Sequence, residues 1–332
     1  MERKLRDAGI VSLSTAVPPR VLTNADMERL FDTSDEWIRS RTGIRERHIA
    51  DPEVACSDLA TEAARKALER AHLAPDQVDL VIVATVTPDH YVPSAACLVQ
   101  DRLGATRAAA FDLNAACPGF IYGVTVARQF VAAGTYDTVV VVGCEVLSRV
   151  ADPQDRGTYV LFGDAAGAAV VRPVSPGRGI LASVLGSDGS GAPHLIIPAG
   201  GSRRPASSET VEKREHYLRM NGPEVFRFAV RVMEESSLQV LERCGLNKED
   251  IDLLVPHQAN IRIIESARKR LGLPPEKVIV NVDRYGNTSS ASIPIALEEA
   301  LSQGRLHDGD LVVGVAFGAG LTWGSVAMRW GS

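Results

Sequence analysis

The chain contains an internal repeat, and this repeat limits the folds that it can adopt. Residues 68–80, LERAHLAPDQVDL, match residues 241–253, LERCGLNKEDIDL, at six of thirteen positions with an offset of 173. The same offset aligns residues 136–144, YDTVVVVGC, with residues 309–317, GDLVVGVAF. Because two well separated segments agree on one offset, a duplicated chain is the simplest interpretation.

Each copy predicts helices that alternate with strands. A helical segment and a polar turn precede the strand-like runs VDLVIVATV and IDLLVPH. The runs VIVATV and VVVVG are apolar throughout, as is typical of sheets covered on both faces. We therefore predict an α/β fold with two related halves, residues 1–174 and 175–332, that meet at the Pro- and Gly-rich segment 172–179. Residues 188–210, rich in Gly, Pro and Ser, predict a long surface excursion.

The composition excludes several classes of protein. With 45% hydrophobic and 23% charged residues among 332, the chain is neither disordered nor fibrous. Its net charge of −5 argues against nucleic acid or anionic lipid as a partner. The five cysteines form no CxxC pair, so neither a disulfide framework nor a zinc site is predicted. The charged N-terminal residues and the absence of a long apolar run predict a cytoplasmic protein that neither enters nor crosses a membrane.

The repeat also draws attention to three polar residues. With the offset of 173, Asn114 is aligned with Asn287, and Ala84 is aligned with His257 at the end of IDLLVPH. Cys117, in NAACPGF, is aligned with a serine. Strand ends in α/β sheets are where ligands bind. Two halves packed about a pseudo-twofold axis would therefore bring Cys117, His257 and Asn287 to one centre.

Cys117 stands just before a predicted helix. Pro118 suits the first helical position and Gly134 suits the end, so Cys117 is predicted to be the N-cap residue. The positive end of that helix would lower the pKa of the thiol and favour the nucleophilic thiolate. Each residue alone also fits a structural role: a packed cysteine, a core histidine at 257 and a turn residue at 287.

Seven blocks along nearly the whole chain have the order expected of one enzyme family. They are DTSDEWIRSRTGIRERHIA (32–50), DLNAACPGF (112–120), DRGTYVLFGDAAGAAV (155–170), MNGPEVFRFAV (220–230), VPHQANIRII (255–264), YGNTSSASIP (285–294) and FGAGLTWGS (317–325). These blocks resemble the β-ketoacyl-[acyl-carrier-protein] synthase III family, the initiating condensing enzymes of type II fatty acid synthesis. The resemblance implies a thiolase-like five-layered αβαβα fold, a homodimer and a catalytic triad of Cys117, His257 and Asn287.

The resemblance also implies roles for further residues. The nucleotide end of coenzyme A would be held by Trp37, Arg41, Thr42 and Arg156, and its pantetheine arm would pass Gly222, Phe226, Ala259 and Asn260. An acidic acyl carrier protein would meet Arg262, Arg268, Lys269 and Arg270, although these basic residues also fit a solvated helix face. Val92 would close the acyl pocket of the partner subunit. The backbone N–H groups of Cys117 and Ala319 would form the oxyanion hole. Many relatives have glycine at position 319, so the alanine of this chain would be unfavourable if that position required a positive φ.

The implied reaction is a decarboxylating condensation without a metal or a redox cofactor. A short starter from acyl-CoA, acetyl or branched, would be transferred to Cys117, and malonyl-acyl-carrier-protein would then lose CO₂ and attack it. A related acyltransferase of secondary metabolism with another acceptor is the alternative, although His257 and Asn287 serve decarboxylation. A non-catalytic dimer partner would not need Cys117, and the duplication does not fit a papain-like hydrolase. The triad is shared with plant-type polyketide synthases, so it does not identify the starter.

Overall fold

Thirteen strands and eleven α-helices alternate along residues 5–331, which are the residues that the computed structural model describes. The strands are β1 (Ala8–Ala16), β2 (Val21–Thr23), β3 (Glu46–His48), β4 (Leu80–Ala84), β5 (Ala109–Leu113), β6 (Val139–Val146), β7 (Asp164–Pro173), β8 (Gly179–Ser187), β9 (Leu195–Ile196), β10 (Arg219–Met220), β11 (Leu253–Pro256), β12 (Leu311–Gly318) and β13 (Thr322–Arg329). The helices are α1 (Asn24–Leu30), α2 (Asp35–Thr42), α3 (Cys56–Arg70), α4 (Ala95–Leu103), α5 (Gly119–Ala132), α6 (Arg156–Tyr159), α7 (Ser208–Glu212), α8 (Gly222–Glu242), α9 (Ile261–Leu271), α10 (Val282–Tyr285) and α11 (Ser292–Ser302).

Two large sheets repeat one topology. The first has the order β1-β7-β6-β4-β5 and the second has the order β8-β13-β12-β11. The offset of 173 moves the first residue of β4, Leu80, to that of β11, Leu253, and the first residue of α5, Gly119, to that of α11, Ser292. In the second sheet, the counterpart of β5 is reduced to a parallel bridge between Leu254 and Val278. The predicted α/β fold from two duplicated halves is confirmed, and the boundary at residue 174 stays a prediction.

The elements stack in five layers. Helices α3 and α4 cover the outer face of the first sheet, α5 and α11 lie between the sheets, and α8 and α9 cover the second sheet on its outer side. Every residue of the central strands β6 and β12 is buried, in agreement with sequences that are apolar except for Glu145 in β6. The segment before α11 presses on β6 so closely that a Cβ on Gly143 would lie 2.3 Å from the carbonyl oxygen of Ser290. Only glycine fits at 143, and this contact joins the two halves at the site described below.

The excursion predicted at residues 188–210 is ordered and covers a cavity. It contains a 3₁₀ helix at Gly189–His194 and the strand β9, which pairs with β10. Ala192, Leu195 and Ile196 face the cavity. This segment is longer than a simple connection requires, and it forms one wall of the site.

Candidate active site

A cavity of about 560 Å³ contains all three residues of the predicted triad. It lies where strands of both sheets end, and Cys117, His257 and Asn287 line it. Of the other predicted residues, five also line it, and they are Gly222, Phe226, Ala259, Asn260 and Ala319. The deeper wall is apolar and includes Leu147 and Phe162. The cavity therefore combines three polar side chains with room for a short acyl chain.

The backbone around Cys117 is tightly constrained. Helix α5 begins at Gly119 and its N-cap is Pro118, so the prediction that Cys117 is the N-cap was wrong by one residue. The reason is that Ala116, with φ of 52°, already turns the chain, and Gly119 N–H donates back to the Ala116 carbonyl. From the other half, a Cβ on Gly318 would lie 2.7 Å from the Cys117 nitrogen. Glycine at 318 therefore allows the end of β12 to approach the nucleophile.

Two backbone N–H groups are available beside Cys117. Within residues 5–331, neither the N–H of Cys117 nor that of Ala319 donates a hydrogen bond to another group. Ala319 does not have a positive φ, whereas Gly320 has a φ of 138°. The alanine at 319 is thus unstrained, because the left-handed conformation falls on the following glycine. Its carbonyl, in the next peptide unit, accepts a hydrogen bond of 2.8 Å from Thr322 Oγ1.

The Cys117 thiol is protonated at rest. The residue is half-buried and faces the cavity. Burial raises the pKa of Cys117 to about 12, the Ser289 hydroxyl acts against this rise and the Glu145 carboxylate adds to it. The predicted lowering of the Cys117 pKa was therefore wrong, because burial of the thiol disfavours the charged thiolate. The thiol must lose its proton as it attacks.

His257 is a neutral ring held by one hydroxyl. It is 1% exposed, and burial lowers its pKa to about 3. Its Nδ1 lies 2.7 Å from Ser292 Oγ, and in the described part of the chain this hydroxyl has no other hydrogen-bond partner. When the Ser292 hydroxyl donates to Nδ1, the ring carries its proton on Nε2. The neutral ring is then a hydrogen-bond donor toward the cavity, and it makes a T-shaped contact with the Phe317 ring at 5.5 Å between centroids.

Asn287 is held by residues from the other half. Its backbone N–H donates to the Leu161 carbonyl at 2.8 Å, and its carbonyl accepts from Gly163 N–H at 3.0 Å. Its side-chain oxygen accepts from the Ser289 N–H at 2.9 Å. The amide nitrogen donates to no other residue among those described, so it remains available to a ligand in the cavity.

Of the residues predicted to bind coenzyme A, those assigned to its pantetheine arm line the cavity, whereas those assigned to its nucleotide end do not. The Arg156 guanidinium lies 4.9 Å from the centre of the Trp37 ring, so these two residues form a cation–π pair. Asn260 Nδ2 donates to the Arg41 carbonyl at 3.1 Å. Thr42 differs from this expectation, because it is 4% exposed and its hydroxyl donates to a carbonyl within α2. Its side chain stabilises the end of α2 and does not face the rim.

The basic residues of α9 divide into two groups. Arg268 pairs with Glu265 and Arg270 with Glu234, each at 2.8 Å. Arg262 and Lys269 are exposed, and Arg262 lies over Phe226 at 5.5 Å. The predicted basic surface is thus partly neutralised within the chain itself.

Val92 lies outside the cavity of its own subunit. It is 86% exposed, whereas its neighbour Tyr91, which is 82% exposed, lines the cavity. Its side chain is therefore free to contact another molecule.

Sequence reasoning missed three residues of this site. Ser292 holds His257, and Ser289 and Glu145 lie next to Cys117. Glu145 could have been found, because it is a single charged residue inside the apolar run VVVVGCEVL. The two serines could not, since serine is ordinary in a loop such as NTSSAS.

The described residues contain neither a metal cluster nor a membrane helix. In residues 5–331, no group of three or more His, Cys, Asp and Glu side chains is arranged to hold a metal ion. Each helix in that range is too short or too polar to cross a bilayer.

Comparisons with known proteins point to one enzyme family. Two family models match, 3-oxoacyl-[acyl-carrier-protein] synthase III over residues 111–189 and its C-terminal part over residues 241–330. A β-ketoacyl-[acyl-carrier-protein] synthase III from Symbiobacterium thermophilum is 66% identical over 328 residues, 99% of each chain. The crystal structure of the same enzyme type from Thermus thermophilus is 52% identical with a TM-score of 0.90, covering 97% of this chain and 99% of that one. A priming β-ketosynthase of the R1128 polyketide pathway is 36% identical with a TM-score of 0.91, covering 99% and 98%.

The fold and the cavity define a condensing acyltransferase of the thiolase-like class. With 66% identity across nearly its whole length, the chain belongs to the β-ketoacyl-[acyl-carrier-protein] synthase III family. The resemblance seen in the sequence is confirmed.

Proposed function

We propose that this chain starts fatty acid synthesis by condensing a short acyl-CoA with malonyl-acyl-carrier-protein through an acyl group on Cys117. The observation that carries the proposal is the meeting of a thiol, a neutral imidazole and a free amide in one cavity. In the first half-reaction, the Cys117 sulfur attacks the thioester carbonyl of the acyl-CoA. The N–H groups of Cys117 and Ala319 stabilise the oxyanion of the tetrahedral intermediate, and coenzyme A leaves.

In the second half-reaction, His257 and Asn287 hold the thioester carbonyl of the malonyl group. As CO₂ leaves, the electron pair forms an enolate whose oxygen accepts hydrogen bonds from the imidazole Nε2–H and the Asn287 amide. The enolate carbon then attacks the acyl carbonyl on Cys117 and releases the β-ketoacyl product. A neutral imidazole suits this role, since it donates a hydrogen bond without needing to gain a proton first. The chemistry requires no cofactor beyond the coenzyme A thioester that is its substrate.

Residues around the cavity would bind coenzyme A and the acyl carrier protein. Trp37 and Arg156 would flank the adenine of coenzyme A, and Phe226 and Asn260 would contact its pantetheine arm. Arg262 and Lys269, whose charges are exposed on α9, would meet an acidic carrier protein.

A homodimer would complete the acyl pocket. The exposed Val92 and Tyr91 precede Ala95, whose N–H donates to Asp112 of β5, an edge strand whose Phe111 is 36% exposed. A second copy that pairs at this edge would cover these apolar side chains and would place Val92 against the partner's cavity. We place the enzyme in the cytoplasm, because all five cysteines are free thiols, as a reducing compartment requires.

The test is the intact mass of the purified protein after brief incubation with acetyl-CoA and with longer and branched acyl-CoAs, followed by peptide mapping. One acyl group per chain on Cys117, absent from Cys117→Ala, is expected. The acylated enzyme should then release CO₂ from malonyl-acyl-carrier-protein and form the condensed product. Acylation without decarboxylation would favour an acyltransferase with another acceptor, and no acylation by any short acyl-CoA would contradict the proposal.

A further inference from the structure

A buried carboxyl group beside the nucleophile has no part in the reaction as described so far. Glu145 is fully buried on β6, and the donors that reach its two oxygens are all neutral. They are Thr85 Oγ1 at 3.3 Å, the Val86 N–H at 3.1 Å, Thr87 Oγ1 at 2.8 Å, Ser289 Oγ at 3.2 Å and Ser290 Oγ at 3.1 Å. No basic side chain bonds to it within residues 5–331. A carboxylate buried without a cation is costly, so its retention needs a reason.

This carboxyl group gains or loses a proton near neutral pH. Burial raises the pKa of Glu145 to about 7, and the hydrogen bonds from Thr87, Val86 and the two serines act against that rise. The titratable groups around it are thiols. They are Cys117, Cys144, which precedes Glu145 in β6, and Cys56, whose thiol donates to Thr85 Oγ1. Near neutral pH, Glu145 can therefore gain or lose a proton at little free-energy cost, whereas the Cys117 thiol cannot.

Ser289 connects Glu145 with the nucleophile. Its hydroxyl donates to Glu145 Oε1 at 3.2 Å and interacts with the Cys117 thiol, and it lines the same cavity. Its backbone has a φ of 48°, a conformation that a residue with a side chain adopts only at a cost. Ser290 makes a similar bond to Glu145 but donates also to the Ala84 carbonyl at 2.9 Å and does not line the cavity. Of these two serines, only Ser289 both bonds to Glu145 and lines the cavity that Cys117 faces.

We propose that Glu145 takes the Cys117 proton through Ser289 during acylation and stores it until the product leaves. This inference rests on the proposed function. As the Cys117 sulfur forms its bond to the acyl carbon, the thiol proton moves to Ser289 Oγ and the Ser289 proton moves to Glu145 Oε1. The bond between the acyl carbon and the coenzyme A sulfur breaks, and the released thiolate takes a proton from solvent.

The second half-reaction returns the stored proton. Malonyl carboxylate leaves as CO₂, its electron pair forms the new carbon–carbon bond, and the bond between the acyl carbon and the Cys117 sulfur breaks. The sulfur recovers its proton from Glu145 along the same path in reverse. During decarboxylation Glu145 is neutral, which removes a negative charge from the neighbourhood of the developing enolate. His257 is a poor alternative acceptor, since its low pKa and its bond to Ser292 keep it neutral.

The test measures the rate at which Cys117 is acylated, in a single turnover followed by quenched intact mass, from pH 5.5 to 9 with acetyl-CoA and isobutyryl-CoA in parallel. The native rate should rise with pH through about 7 and then level off, as the carboxylate form of Glu145 appears. Glu145→Gln should slow acylation about a hundredfold at pH 7.5 and abolish the rise through 7. Ser289→Ala should do the same, so the test does not depend on the folding of one variant.

Ser290→Ala is the matched control, because it removes a hydroxyl from Glu145 without interrupting the path to Cys117. This variant should keep the native acylation rate at high pH. The rise of the rate with pH should move to higher pH, because the lost Ser290 hydrogen bond lowers the pKa of Glu145. Native acylation kinetics in Glu145→Gln or in Ser289→Ala would overturn the storage role, as would equal losses in Ser289→Ala and Ser290→Ala. If the native enzyme is not acylated at all, the proposed function itself fails.

Discussion

The hydroxyl of Ser292 allows a prediction about the second half-reaction alone. Ser292→Ala removes the one hydrogen bond that keeps the proton of His257 on Nε2. The ring is 1% exposed, so water does not readily replace the missing donor at Nδ1. The tautomer with the proton on Nδ1 then gains population, and it presents an acceptor to the cavity where the enolate oxygen needs a donor.

The size of this effect follows from the lost bond. A neutral hydrogen bond contributes about 1 kcal/mol, which corresponds to about a fivefold loss in the rate of malonyl decarboxylation. Acylation of Cys117 should be unchanged, because His257 has no proposed part in it. The assay compares CO₂ release from malonyl-acyl-carrier-protein with single-turnover acylation in the same preparation.

Ser237→Ala is the matched control for this prediction. Ser237 is also a buried helical serine, but its hydroxyl donates to the Met233 carbonyl within α8, and it does not line the cavity. It should leave both rates as they are. Parallel losses of acylation and decarboxylation in Ser292→Ala, or an unchanged decarboxylation rate, would refute the tautomer argument.

Four further predictions follow from the cavity and its rim. His257→Ala and Asn287→Ala should each lower malonyl decarboxylation about 10²- to 10³-fold while acylation stays measurable; equal loss of both half-reactions would contradict the assigned roles. Gly318→Ala should slow acylation about 10²-fold without a change in circular dichroism, because its Cβ would lie 2.7 Å from the nucleophile's nitrogen. Trp37→Ala should raise KM for the acyl-CoA about tenfold at unchanged kcat, in steady-state assays. Because its pKa is raised, Glu145 contributes stability to the native fold that is fully present below pH 4.5 and is lost as the pH rises through about 7. Between pH 4 and pH 8, the free energy of unfolding of Glu145→Gln in urea should therefore rise by about 3 kcal/mol relative to that of the native protein.

The parts of the fold that depend on local pattern could be predicted from the sequence. The offset of 173 correctly aligned β4 with β11 and α5 with α11, because hydrophobic period and turn residues are read over a few neighbouring positions. The same offset located Cys117, His257 and Asn287 at one cavity, since each stands next to the end of an aligned element. The resemblance to a known family then supplied expectations for the rim.

What could not be predicted depends on contacts between distant residues. The bond from Ser289 to Glu145 spans 144 positions, and that from His257 to Ser292 spans 35. The sequence shows Cys117 near the start of a helix, and hence a lowered pKa, but not the depth at which the second half buries the thiol. The N-cap was misplaced by one residue for a local reason, because the turn at Ala116, which has a positive φ, is not apparent from the sequence.

Burial acts on the two titrating members of the triad in opposite directions and with one result. It raises the pKa of Cys117 to about 12 and lowers that of His257 to about 3, so the proton stays on sulfur and the pair remains uncharged. A cysteine hydrolase that works through a thiolate–imidazolium pair needs the reverse order of these values. An uncharged pair leaves the N–H donors to meet the charge that develops in each half-reaction, in a cavity where their fields are strong. It also means that the nucleophile must find a proton acceptor other than His257, and Glu145, reached through Ser289, is the group that the fold places there.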